Sequence, residues 1–128
     1  MAGYLLDTQT FIWFIEGSDQ LPQESRTLIS RKDTPVFFSM VSVWEMAIKI
    51  SIKKLKFRDP LPVLVQRHCP SDFTLLPIRL TDLFAVEKLS MIHRDPFDRL
   101  LVVQTQGDGL EILSFDPIFD KYGVKRIG

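Results

Sequence analysis

The amino-acid sequence predicts a three-layer α/β domain with a mainly parallel central sheet. Short apolar strand candidates alternate with helical patterns along the whole chain, and the strands are continuously apolar rather than two-faced. Strands of that kind belong to parallel sheets covered by helices on both faces. The 128 residues suit one domain, and no repeat, low-complexity tract or Gly/Ser linker divides them. The expectation is a single domain over residues 1–128.

Each element follows from local signals. Tyr4-Leu5-Leu6 is a strand ending at Asp7, and Thr8 to Glu16 is a helix closed by Gly17. A second helix runs from near Pro22 to about Lys32. Val36 to Ser39, rich in β-formers, is the next strand. Ser42 opens a helix to about Lys54, with Val43, Met46, Ala47 and Ile50 predicted on one face. A short helix over Pro62–Cys69 precedes the strand Phe73–Leu76, and Thr81 caps a helix to about Leu89. Asp95-Pro96 starts a helix in which Phe97, Leu100, Leu101 and Gln104 stack, and Gly107 and Gly109 end it. Ile112–Ser114 is a strand, Pro117–Tyr122 a short helix and Val124–Ile127 a terminal strand.

Composition narrows the setting. Hydrophobic residues make up 45% of the chain, enough for a core without disulfides, and the single Cys69 has no internal partner. No apolar run approaches a membrane span, and the first residues lack the basic start and apolar stretch of a signal peptide, so a reducing, cytoplasmic setting is expected. Lys and Arg number 16, Asp and Glu 16, for a net charge of zero. Any attraction to nucleic acid must then come from local charge or from bound metal.

The acids fall at informative places. Asp7 follows the first strand, Glu45 lies in the first turn of the helix after the second, Asp98 lies in the first turn of the helix opened by Asp95, and Asp116 follows a late strand. In open parallel sheets, sites form beyond the carboxyl ends of the strands. Each residue alone has a structural reading as well. Asp7 suits an N-cap, Ser42-Val43-Trp44-Glu45 spells a capping box, and Asp95-Pro96 and Asp116-Pro117 are each a cap followed by proline at the first helical position. Gathered together, four carboxylates repel, and a divalent cation is what makes such a cluster tenable. Oxygen ligands without His or Cys favour Mg²⁺ or Mn²⁺, which activate water and stabilise charge on a phosphate.

The stretches Leu5-Leu6-Asp7-Thr8, Val43-Trp44-Glu45-Met46-Ala47-Ile48-Lys49, His93-Arg94-Asp95-Pro96-Phe97-Asp98-Arg99-Leu100-Leu101 and Ser114-Phe115-Asp116 resemble, in order, the four acidic motifs of PIN domains. The HRDPFDRLL stretch is the most specific and is similar to a subgroup of VapC-like toxins. The resemblance implies a PIN-like fold and Mg²⁺- or Mn²⁺-dependent hydrolysis of RNA phosphodiesters. It also implies a homodimer and a cognate antitoxin whose peptide silences the site. Asp7, Glu45, Asp98 and Asp116 match the family's metal-binding, catalytic acids. Asp95 fits as a supporting residue or cap, Thr8 adjoins the first acid, and Ser114 stands where the family most often has threonine.

Other residues carry alternative readings. His93 reads as a cap or surface group rather than a general base, and His68 beside Cys69 makes no zinc site. Lys49, Lys53 and Lys56 form a helical stripe, with Lys54 and Arg58 nearby, read as a solvated face or a contact to RNA phosphates. Arg99 is a candidate partner for a phosphate or a carboxylate. Phe11, Trp13 and Phe14 are a heavy apolar load for one short helix, which suggests a partner surface. The competing functional reading is a catalytically silent PIN-like module that binds nucleic acid or protein. A receiver domain wants paired acids after the first strand, and a P-loop or dinucleotide fold wants a Gly-rich turn; the chain has neither.

Overall fold

The computed structural model describes residues 3–128. In chain order the elements are β1 (Tyr4–Leu6), α1 (Thr8–Glu16), α2 (Gln23–Ser30), β2 (Val36–Ser39), α3 (Met40–Ser51), α4 (Leu61–His68), β3 (Thr74–Leu76), α5 (Leu80–Lys88), α6 (Pro96–Gly107), β4 (Glu111–Leu113), a 3₁₀ helix (Pro117–Tyr122) and β5 (Arg126–Ile127). The strands form one sheet in the order β3-β2-β1-β4-β5, and every pairing is parallel. Helices cover both faces, as expected of a parallel sheet.

Central β1 serves both layers of core. Tyr4 and Leu6 face a cluster with Phe11, Ile12, Ile29, Phe38 and Met46, while Leu5 faces Val41, Leu100, Leu101, Val103 and Phe119. Side chains alternate across a strand, so three buried residues in a row require a covering layer on each side. Phe11 and Phe38 stack with ring centroids 3.8 Å apart. Phe11 is therefore core, not the partner surface its helix suggested, and Trp13 and Phe14 are partly buried against the same cluster.

Several boundaries move for identifiable reasons. α3 starts at Met40 because the Ser39 hydroxyl, at the end of β2, accepts from the Val41 N–H. Ser42 is thus inside the helix, and the capping box with Glu45 does not form. The buried face of α3 is Val41, Ser42, Glu45 and Met46, whereas Ala47, expected inward, is exposed. The helix ends at Ser51 and Lys53 turns to φ 62°, so the lysine stripe is broken after Lys49. α5 starts at Leu80, its first turn closed by the Asp82 carboxylate accepting from the Arg79 N–H, not by Thr81. β4 covers Glu111–Leu113 and β5 only Arg126–Ile127, each differing from its expected span. α1 matches its expected limits and ends on Gly17 at φ 64°, where glycine avoids the steric cost of a left-handed cap.

Among the described residues, no helix is long and apolar enough to cross a membrane.

Candidate active site

The strand order sets the position of the site. From β1 the chain moves first to β2 and β3 on one side, and later to β4 and β5 on the other. Connections diverge between β1 and β4, and a crevice opens beyond the carboxyl ends of strands at such a switch point. Asp7 leaves β1 there, and Asp116 leaves β4 through Ser114 and Phe115. A cleft of about 510 Å³ lies at this edge, lined by Asp7, Glu45, Asp95, Asp98 and Asp116, with Lys49 the single cation among its described lining residues.

The carboxylates are held by local structure. Asp7 is the N-cap of α1: Oδ1 accepts from the Thr10 N–H at 2.8 Å, and Oδ2 accepts from the Ser114 hydroxyl at 2.6 Å. The Ser114 oxygen in turn accepts from the Asp116 N–H at 3.1 Å, tying the acids at the ends of β1 and β4 together. Asp116 caps the 3₁₀ helix by accepting from Ile118 N–H. Glu45 is buried, its Oε1 accepting from the Thr8 hydroxyl at 2.7 Å. The Thr8 and Ser42 hydroxyls lie 2.8 Å apart. Since Thr8 has one proton and gives it to Glu45, Ser42 must donate to Thr8. Oε2 of Glu45 accepts from Lys49 Nζ at 2.6 Å.

The acid at the start of α6 sits in a crowded place. Asp95 caps the helix through Oδ1, accepting from the N–H groups of Phe97 and Asp98. Asp98 Oδ2 lies 3.0 Å from His93 Nε2. Burial, and then the charges of Asp95 and Glu45, push the Asp98 carboxyl up from 3.8 to about 7, with His93 acting in the opposite direction. Asp7 is also raised, chiefly by burial and against the hydrogen bonds from Ser114 and Thr10, with Asp116 adding repulsion. Lys49 is raised by its bond to Glu45 and by the charges of Glu45, Asp95 and Asp98.

The four expected acids thus line one cleft, with Thr8, Asp95 and Ser114 in or against it. The tightest potential ligand group among the described residues is different: His93, Asp95 and Asp98 each offer an atom within 4.8 Å of the others. His93, read from sequence as a cap or surface group, is brought to Asp98 by the loop before α6. Arg99 does not reach the cleft. Its guanidinium is buried and donates to the carbonyls of Val86, Leu89, Ser90 and His93, closing the end of α5. Lys49 was visible only as part of a stripe, although its four-residue spacing from Glu45 is a signal for a pair on one helix face. Trp13 and Phe115 form an aromatic wall of the cleft, with ring centroids 5.9 Å apart. His68 contacts Asp72 and the Phe11–Phe73 cluster instead of any site.

A parallel α/β sheet whose switch point opens into clustered carboxylates defines an α/β protein built around an acidic cleft. The family model described as PIN domain matches residues 4–125, and the chain belongs to that family. Solved structures share the fold. VapBC2 from Rickettsia felis, bound to a DNA fragment from their promoter, has a chain with TM-score 0.72 and 13% identity, covering 97% of this chain and 96% of its own. DNA-bound VapBC from Salmonella typhimurium gives 0.70 and 15%, over 99% and 98%. FitAcB from Neisseria gonorrhoeae gives 0.65 and 18%, over 98% and 96%. Comparison with curated protein sequences gives no match.

Proposed function

We propose that this chain is a metal-dependent endoribonuclease acting as the toxin of a toxin–antitoxin pair. The observation that carries the reading is the cleft itself: carboxylates from four separate segments meet at the switch point of the sheet, with one lysine to offset them. The donor set suits Mg²⁺ or Mn²⁺, because Asp7, Glu45, Asp98 and Asp116 offer hard oxygens. Burial first, and then the neighbouring charges of Asp95 and Glu45, raise the Asp98 carboxyl, and a cation bound there would offset both.

A divalent ion bound by these acids would supply a more acidic water and positive charge beside the phosphate. The chain's own residues prepare that chemistry. Ser114 and the Thr10 N–H fix both oxygens of Asp7. Thr8 fixes one oxygen of Glu45, and Asp95 holds the start of α6 so that Asp98 faces the cleft. Fixed carboxylates need little reorganisation when charge arrives, which is where such sites gain their effect. Trp13 and Phe115 keep one wall apolar.

RNA is the proposed substrate, and an antitoxin and a second copy of the chain are the proposed partners. The names of the similar structures, VapBC and FitAcB, support the toxin–antitoxin reading. Exposed apolar side chains for such partners sit on α3 and α5, at Trp44, Ile48, Leu80 and Phe84, instead of on α1.

The test combines cleavage and growth. Purified protein with Mn²⁺ should cut RNA, and expression of the chain alone should slow bacterial growth. Asp7→Asn retains a good N-cap, so the fold should persist while cleavage falls at least about a hundredfold, beyond what losing an outer partner of a metal ligand costs. Asp98→Ala should relieve toxicity. Intact RNA and normal growth with abundant soluble wild-type protein would point instead to a silent binding module.

A further inference from the structure

Lys49 is an unusual member of this cleft. A Glu–Lys pair four residues apart is ordinarily a solvent-facing helix pair. Here the glutamate is buried, and the pair lies along the inward edge of α3, where Ser42 and Glu45 also sit, while Trp44 and Ile48 face out. Glu45 is engaged at both oxygens, by Thr8 at Oε1 and by Lys49 at Oε2. Lys49 is held less firmly. Its side chain is 43% exposed, and its one hydrogen bond among the described residues is to Glu45, so two of three N–H donors remain available.

Charge adds the second half of the argument. Asp7, Glu45, Asp95, Asp98 and Asp116 line a cleft in which Lys49 is the single described cation. An RNA phosphate entering it meets repulsion on most sides. Two arginines flank the start of α6: Arg99 is committed to carbonyls on the far side, and Arg94 is exposed and does not line the cleft. A flexible ammonium stem already inside the cleft is the group able to follow incoming charge.

We infer that Lys49 is an exchangeable counter-cation, tied to Glu45 in the metal-free cleft and transferred to a non-bridging phosphate oxygen of RNA when a divalent ion takes over that carboxylate. The inference rests on the metal-dependent nuclease reading. It assigns Thr8 and Lys49 opposite parts. Thr8 holds Glu45 permanently, whereas Lys49 occupies an oxygen that it must give up. A lysine in that role competes with metal. A lysine that merely orients Glu45 would assist metal instead, so the sign of one measurement separates the two.

The experiment is calorimetric titration of Mn²⁺ into the full chain without partner, for wild type, Lys49→Met, Lys49→Gln and Lys49→Arg. Removing a unit charge about 5 Å from a dication relieves repulsion worth roughly tenfold in affinity even at the dielectric of water. Lys49→Met and Lys49→Gln should therefore bind Mn²⁺ about tenfold more tightly, and Lys49→Arg should stay near wild type. With a pool of short single-stranded RNAs, Lys49→Met should raise KM more than it lowers kcat, and lowering the salt should recover less of its binding than in wild type. Equal or weaker Mn²⁺ binding by both Lys49→Met and Lys49→Gln would overturn the exchange. Tighter Mn²⁺ binding with KM unchanged would overturn the transfer to phosphate. Failure of the wild type itself to bind millimolar Mn²⁺ would remove the nuclease reading, and this inference with it.

Discussion

Two groups of acids in this molecule are treated in opposite ways. Where the start of α5 meets the end of α6, at a junction away from the loop that connects them, Asp82 and Asp108 converge on Arg79. The guanidinium bonds both oxygens of Asp108, at 2.9 and 2.8 Å, and reaches Asp82 at 3.1 Å. Asp82 also accepts from the Arg79 N–H and from Gln104, whose carbonyl takes the Ser39 hydroxyl proton at 2.6 Å. Arg79 is correspondingly held well above its ordinary value, by Asp108 first and then Asp82. In the cleft, five carboxylates share Lys49 and the neighbouring His93, and Asp98 rises to about 7. A structural acid cluster closes its charge with a fork-shaped donor. The cleft leaves its charge open, and the external cation proposed for it would close that difference.

The largest effect expected from the contrast is on pH dependence. Asp98 has a higher pKa folded, about 7, than its ordinary 3.8, so the folded chain binds the extra proton. Its contribution to stability is full below about pH 4 and is lost as pH rises through about 7. Metal-free wild type should therefore lose stability relative to Asp98→Asn as pH rises from about 5 to about 8, followed by paired thermal melts. A difference that stays flat would mean that the carboxyl is compensated after all.

The junction should respond to mutation instead. Asp82→Ala strands donors from Arg79 and Gln104 and should cost about 2 kcal/mol in denaturant unfolding. Because its charge takes no part in the cleft, Mn²⁺ affinity should stay at the wild-type value. A comparable loss of metal binding would erase the distinction between the two clusters.

Ser114→Ala is the finer probe. It removes the donor to Asp7 and the acceptor for the Asp116 N–H, and should cost about 1 kcal/mol of stability. Mn²⁺ affinity should fall about tenfold, as for other groups that orient a metal ligand. Ser114→Thr should keep both properties.

Much of this was legible in the sequence, for reasons that differ by residue. Asp7 and Asp116 stand where strand patterns end, so their shared edge follows from topology. Both are also real helix caps, so the structural reading of each and its place in the cleft hold together. Glu45 lines the cleft without forming the capping box its spelling suggests, because Ser39 caps α3 and leaves Ser42 inside the helix. Arg99 was misjudged from adjacency to Asp98: neighbours in a helix point about 100° apart, which sends one side chain to the cleft and the other to the end of α5. The His93–Asp98 contact depends on a loop path, and Arg79–Asp108 on a separation of 29 residues, and neither leaves a local pattern to read.

The central claim is that the open acidic cleft is completed by a divalent cation. It is tested most directly by thermal melting of the chain on its own with and without millimolar Mn²⁺. At about a hundredfold over Kd, binding to the folded state adds roughly 2.7 kcal/mol of stability. A rise in Tm that survives Asp82→Ala and is lost in Asp98→Asn and Asp116→Asn is the predicted result. A wild-type Tm that does not move with Mn²⁺ would contradict it.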